Sequence, residues 1–243
     1  AGFIGKTSYG QAFPSDGNIP STKDMWQPRL GITWDPTKDG KTVVRATAGL
    51  FYGRIPGLTL ASSRSTNGSL GQSLFRNSAL TGILGPVPSY LNLIPQSQVG
   101  APFRPDVFVV DPEFRNPRTL ASSLSFEREV GGDYGLLVKY NYALTTQLTR
   151  FINRNDPLLG NGKDAGPWTS GLNGGPNGIG QLTTVESTGH SLYNGITFGV
   201  TKRLSHRWQA QLNYTLSWDK SDDDNERDPF SLRYAKVTDL DPE

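Results

Sequence analysis

The stretch Trp208–Trp218 constrains this chain more than any other. Trp208, Ala210, Leu212, Tyr214, Leu216 and Trp218 alternate without a break against Gln209, Gln211, Asn213, Thr215 and Ser217. A period of two is the signature of a β-strand with one apolar and one polar face. Ten residues at about 3.3 Å of rise and a tilt of about 45° span roughly 23 Å. A lipid-facing strand needs about that height, with aromatic residues at both ends and polar residues inward. The competing reading of such a strand is one side of a soluble sheet.

The same alternation recurs. It predicts strands at about 28–34, 42–53, 119–129, 135–145, 193–203 and 208–218, joined as three hairpins. Asp35–Lys41, Val130–Asp133 and Leu204–Arg207 supply the short connections, with Pro36, Asp39-Gly40 and Gly131-Gly132 as turn chemistry. The remaining segments, about 1–27, 54–118, 150–190 and 219–243, are rich in Gly, Pro, Ser, Asn and Asp and show no sustained period. The expected fold is therefore all-β: antiparallel up-and-down hairpins forming an arc of a large barrel, as one partial β-barrel domain over 1–243. Short turns lie at one end and long loops at the other, the asymmetry of transmembrane barrels. Six strands are fewer than the smallest such barrel contains, so further strands are expected elsewhere.

Composition narrows the function. Twenty-eight glycines and 17 prolines favour loops over helices, and a 35% hydrophobic fraction is low for a large buried core. The chain has no cysteine, which removes thiolate metal sites and nucleophiles from consideration. A net charge of +2 provides no basic face for nucleic acid. No apolar run approaches the length of a spanning helix. The chain opens on Ala1 without a charged or apolar leader, so a processed product or a segment of a longer protein is expected.

Several segments resemble the barrel of TonB-dependent outer-membrane receptors, especially the large Oar-like type. They are Gln27–Pro36, Gly40–Arg45, Gly49–Tyr52, Phe114–Pro117, Ser125–Glu129, Glu186–Gly195 and Tyr214–Lys220. The resemblance implies a bacterial outer-membrane location, contact with outer-membrane lipid, and a 22-stranded barrel enclosing a plug. It further implies energised uptake of a large or scarce substrate, with TonB as partner of the full-length protein. Plug, TonB-contacting segment and closing strand are not among the residues here.

On that reading Trp34, Tyr52, Trp208 and Trp218 are girdle residues, and Arg45, Lys139, Gln209, Gln211 and Asn213 face the lumen, where they would meet plug or solute. No catalytic residue and no cofactor is expected. The weaker alternatives are specific. Gly189-His-Ser-Leu192 is similar to the start of a nucleophile elbow, with Ser191 as nucleophile, but Tyr193 replaces the second glycine. Gly71-Gln-Ser-Leu74 is a fainter hydrolase-like block. Glu127 and Glu129 share a strand face as a carboxylate pair would. Asp222, Asp224 and Asp228 offer oxygen ligands to Ca²⁺ without the spacing of a calcium loop. His190 and His206 have no partner at metal-ligand spacing, and His206 is expected in a turn. These features support the alternative function, a soluble secreted β protein that binds or hydrolyses a glycan or ester.

Overall fold

The computed structural model describes residues 3–55, 106–160, 166–170 and 178–222, with isolated positions between 57 and 104. The described residues form nine strands: β1 (Thr7–Ser8), β2 (Gln11–Ala12), β3 (Arg29–Trp34), β4 (Thr42–Tyr52), β5 (Val107–Val110), β6 (Arg118–Val130), β7 (Tyr134–Asn153), β8 (Leu182–Ser205) and β9 (Trp208–Ser221). β3, β4, β6, β7, β8 and β9 pair antiparallel in that order, each with its neighbour in the chain. This is the up-and-down arc expected from the alternation, and all six strands lie where the sequence places them.

The short connections hold by local chemistry. Asp35 accepts from the backbone N–H groups of Thr37 (3.1 Å), Lys38 (2.9 Å) and Gly40 (2.9 Å), closing the β3–β4 turn. Led by the Gly40 bond, these hold its carboxyl below the usual carboxylate range. Gly131 and Gly132 take positive φ in the β6–β7 turn. His206 and Arg207 do the same in the two-residue β8–β9 turn, at φ of 52° and 67°. Here the left-handed backbone falls on side chains that adopt it at a cost.

Four of the expected loops contain more structure than their sequence signals. β7 continues to Asn153 and β8 begins at Leu182, so 150–190 is irregular only in its middle. β9 reaches Ser221, inside the expected loop 219–243. β5 lies within 54–118, and the ribbon β1–β2 within 1–27. The β7 alternation is lost at Gln147, whose φ is +62°, with register shifts at Thr146/Leu148 and Leu148/Arg150. A bulge there re-aims the strand, and beyond it both faces become buried.

The result is two zones sharing β7 and β8. Below the bulge, a single sheet exposes both faces. Above it, β5 lies parallel to Leu182–Val185 of β8, on the same edge of β8 that β9 occupies lower down. Phe108 and Val110 pack with Ile55, Phe114, Phe151 and Val185, while Val107 and Val109 pack with Trp168, Ile179 and Leu182. Phe3 and Phe13 meet Trp168 edge-on at 5.8 and 5.2 Å, which ties the N-terminal segment to this cap. The core of the described residues sits in the cap.

Candidate functional site

The outward face of the arc decides what surrounds the protein. One register row runs Ile32, Ala46, Leu124, Tyr140, Ile196, Leu216 across the six strands. Trp34 lies two residues from this row on β3, Tyr134 six on β7 and Trp208 eight on β9, all toward the short turns. Toward the long loops, Tyr52 lies six residues away on β4 and Trp218 two on β9. Trp26, six residues before Ile32 and of the same parity, is 82% exposed. These aromatics trace two lines that step by about one residue per strand. At about 3.3 Å of rise and 4.8 Å of strand spacing, that step is a tilt of about 35°, within the range of outer-membrane barrels.

Between the lines, the outward charges among the described residues are Arg128 and Lys202, both within about a residue of the short-turn line. The Asn194 amide found there accepts from the Tyr140 hydroxyl at 2.6 Å, which lowers the cost of facing hydrocarbon. Leu212 is 70% exposed, Leu30 68% and Tyr214 60%. The structure places Trp34 and Trp208 at the short-turn end, and Tyr52 and Trp218 at the long-loop end. Trp26 and Tyr134 complete the lines and were not anticipated. Parity gives them away: Trp26 continues Trp34, Ile32, Leu30 and Pro28 by twos.

The other face is polar. Arg45 pairs with Glu127 across β4 and β6, and Arg203 with Glu129 at 2.8 Å. Hydroxyl pairs Thr47–Ser123 (2.8 Å), Thr119–Thr145 (2.9 Å) and Thr197–Thr215 (2.9 Å) link neighbouring strands. Lys139 stands in register between Ser125 and Thr197, Asn213 opposite Gly199, and Gln211 opposite Thr201, with Gln209 two residues further on. All five expected lumen residues therefore share this face. They are spread over it as a wall and do not converge.

A shallow groove of about 570 Å³ runs along the wall, floored by Gly31, Gly49, Ala121 and Ala143. The Arg29 guanidinium lies 4.5 Å from the centre of the Phe51 ring at one end, and Tyr193 closes the other. Both rings lie flat because a glycine lies beneath each. A Cβ on Gly49 would meet the Phe51 ring at 3.0 Å, and one on Gly195 would meet the Tyr193 hydroxyl at 2.6 Å.

The catalytic alternatives fare differently in this geometry. Ser191 donates to Asp219 at 3.3 Å, whereas His190, next in sequence and so on the opposite face, lies 3.1 Å from Asp222. Glu127 and Glu129 are each engaged by a different arginine. Asp222 takes the His190 backbone N–H at 2.7 Å and pairs with Arg150 at 3.4 Å. Asp224, Asp228 and Gly71–Leu74 lie outside the described residues. No group of three His, Cys, Asp or Glu side chains among the described residues is arranged to hold a metal ion.

In the cap, Arg154 grips buried Glu186 through two bonds of 2.6 and 2.5 Å. This bidentate pairing raises the arginine pKa above its ordinary value against the opposing effect of burial. A pocket of about 460 Å³ opens between Pro20–Asp24 and Pro112–Arg115.

A family model described as an outer membrane beta barrel domain matches residues 4–241. Among solved structures, the outer membrane transporter YddB from Escherichia coli aligns with a TM-score of 0.46 at 11% identity, over 81% of this chain and 20% of that one. The FrpB iron transporter from Neisseria meningitidis (F3-3 variant) aligns with a TM-score of 0.39 at 9% identity, over 80% and 20%. The chain thus spans about a fifth of the length of these two structures. No curated protein matches.

Proposed function

Because this chain belongs to the outer membrane β-barrel domain family and lies in the bacterial outer membrane, we propose that it forms part of the wall of a TonB-dependent receptor of the Oar-like type. The whole receptor takes up a large or scarce substrate with energy delivered through TonB. One observation carries the reading: six strands in chain order form an open arc with a lipid-suited outer face and a polar inner face, and among the described residues β3 and β9 each have no partner along one edge. Unpaired edges cannot stand in a membrane, so further strands continue the arc on both sides. A wall of this kind, capped by packed loops, suits a wide barrel closed by a plug. The segment resemblances from Gln27–Pro36 to Tyr214–Lys220 point the same way.

The role is non-enzymatic. Glu127 and Glu129 serve as ion-pair partners across strands, and Ser191 as a hydroxyl on the wall; no bound cofactor enters the reading. The test is made on the full-length protein in detergent. It is expected to bind the periplasmic C-terminal domain of TonB in a pull-down. Failure to bind, together with a permanently open conducting pore in planar bilayers, would overturn the receptor reading.

A further inference from the structure

One register row of the polar face runs Arg29, Gly49, Ala121, Ala143, Tyr193, Asp219 across the six strands of the arc. It carries a cation at one end, an anion at the other, and the floor of the groove between them. The Arg29 guanidinium leans from β3 onto β4, 4.5 Å from the centre of the Phe51 ring. The Asp219 carboxylate leans from β9 toward β8, where it accepts from Ser191 at 3.3 Å. Among the described residues neither forms an ion pair. The neighbouring Lys220 has outward parity, and the acids that follow in the sequence, Asp222, Asp223 and Asp224, carry the sign of Asp219. The two charges stand at most four strand steps apart, about 19 Å. Polar rows flank the groove on both sides. Toward the short turns lie Thr47, Ser123 and Asn141; toward the long loops lie Thr119, Thr145 and Ser191. Each row stands two residues, about 6.7 Å, from the floor.

We propose that this row binds a short peptide with free termini, about five residues long, its carboxylate on Arg29 and its ammonium at Asp219. Five extended residues at about 3.4 Å each span about 17 Å, which matches the separation of the two charges. An extended chain turns its N–H and C=O groups to its two sides, where the two polar rows meet them. Gly49, Ala121 and Ala143 leave room beneath for its side chains. A neutral glycan would use the same rows and leave both charges unanswered. The proposal rests on the receptor reading, for which it names the substrate class.

The test is isothermal titration calorimetry of the full-length protein in detergent with penta-alanine, its N-acetylated form and its C-amidated form. Blocking either terminus is expected to weaken binding about fivefold, the upper end for one exposed ion pair. Arg29→Gln is expected to abolish the discrimination against the amidated peptide and keep that against the acetylated one. Asp219→Asn is expected to do the converse, so the discrimination each variant keeps shows that its wall is intact. Equal binding of the free and blocked peptides by the unaltered protein, or no binding at millimolar peptide, would overturn the proposal. The titration needs no TonB. Protein that binds TonB but no peptide overturns this inference and leaves the receptor reading standing, whereas binding of peptide without TonB counts against the receptor reading alone.

Discussion

The membrane-level sheet and the loop-end cap are built from the same two strands, β7 and β8, and obey opposite rules. In the sheet, each strand meets hydrocarbon on one side and water on the other, so its residues alternate. In the cap, Val107–Val110 and Leu182–Val185 are covered on both sides and do not alternate. The bulge at Gln147 and the close approach of Gly189 to Leu148 mark the boundary. The comparison teaches that solvent sets the pattern: the cap is a small water-soluble core, whereas the sheet leaves its largest apolar side chains for the bilayer to cover.

The two zones respond differently to substitution, most strongly in the cap. Trp168→Ala removes the ring that joins β5 to Phe3 and Phe13, and is expected to cost about 3–5 kcal/mol, confined to the cap. Hydrogen exchange should speed up at Val107–Val110 and Leu182–Val185 while β4 and β6 stay protected. Leu212→Arg is expected to cost about 2–4 kcal/mol in a bilayer, where a water-facing site would move by no more than about 0.5 kcal/mol. Folding equilibria in lipid vesicles would read it. Gly195→Ala should lift Tyr193 from the lumen wall at a cost of about 1 kcal/mol, seen as a changed tyrosine emission. The smallest effect is at the β3–β4 turn. Because Asp35 has a lowered pKa when folded, its support is fully present above the ordinary value of 3.8 and is lost as pH falls through the lowered one. Amide exchange at Gly40 should rise only in that acid window.

What could be read in advance follows from the same physics. Alternation located β3, β4, β6 and β9, because the bilayer and the lumen each claim every second residue. β5 carries no such signal: a doubly buried run of four apolar residues has no period, and its partner on β8 lies some 75 residues away in the chain. The upper half of β7 was missed where the bulge shifts the phase. Parity groups the five expected lumen residues on one face, and the strand register keeps them together on the polar one. Their pairing was not visible, since Arg45 and Glu127 meet only through the β4–β6 register. Trp26 and Tyr134 were legible by parity but sit next to segments that read as loop and turn.

The most direct test of the two-faced sheet is a cysteine scan of β9, which this cysteine-free stretch makes clean. Single cysteines are placed from Gln209 to Ser217 in the full-length barrel in vesicles, spin-labelled, and compared for collision with oxygen and with a water-soluble nickel chelate. The account predicts a period of two: oxygen dominates at Ala210, Leu212, Tyr214 and Leu216, and the chelate at Gln209, Gln211, Asn213 and Thr215. Chelate access at every position would contradict it, and β9 would then be a strand in water.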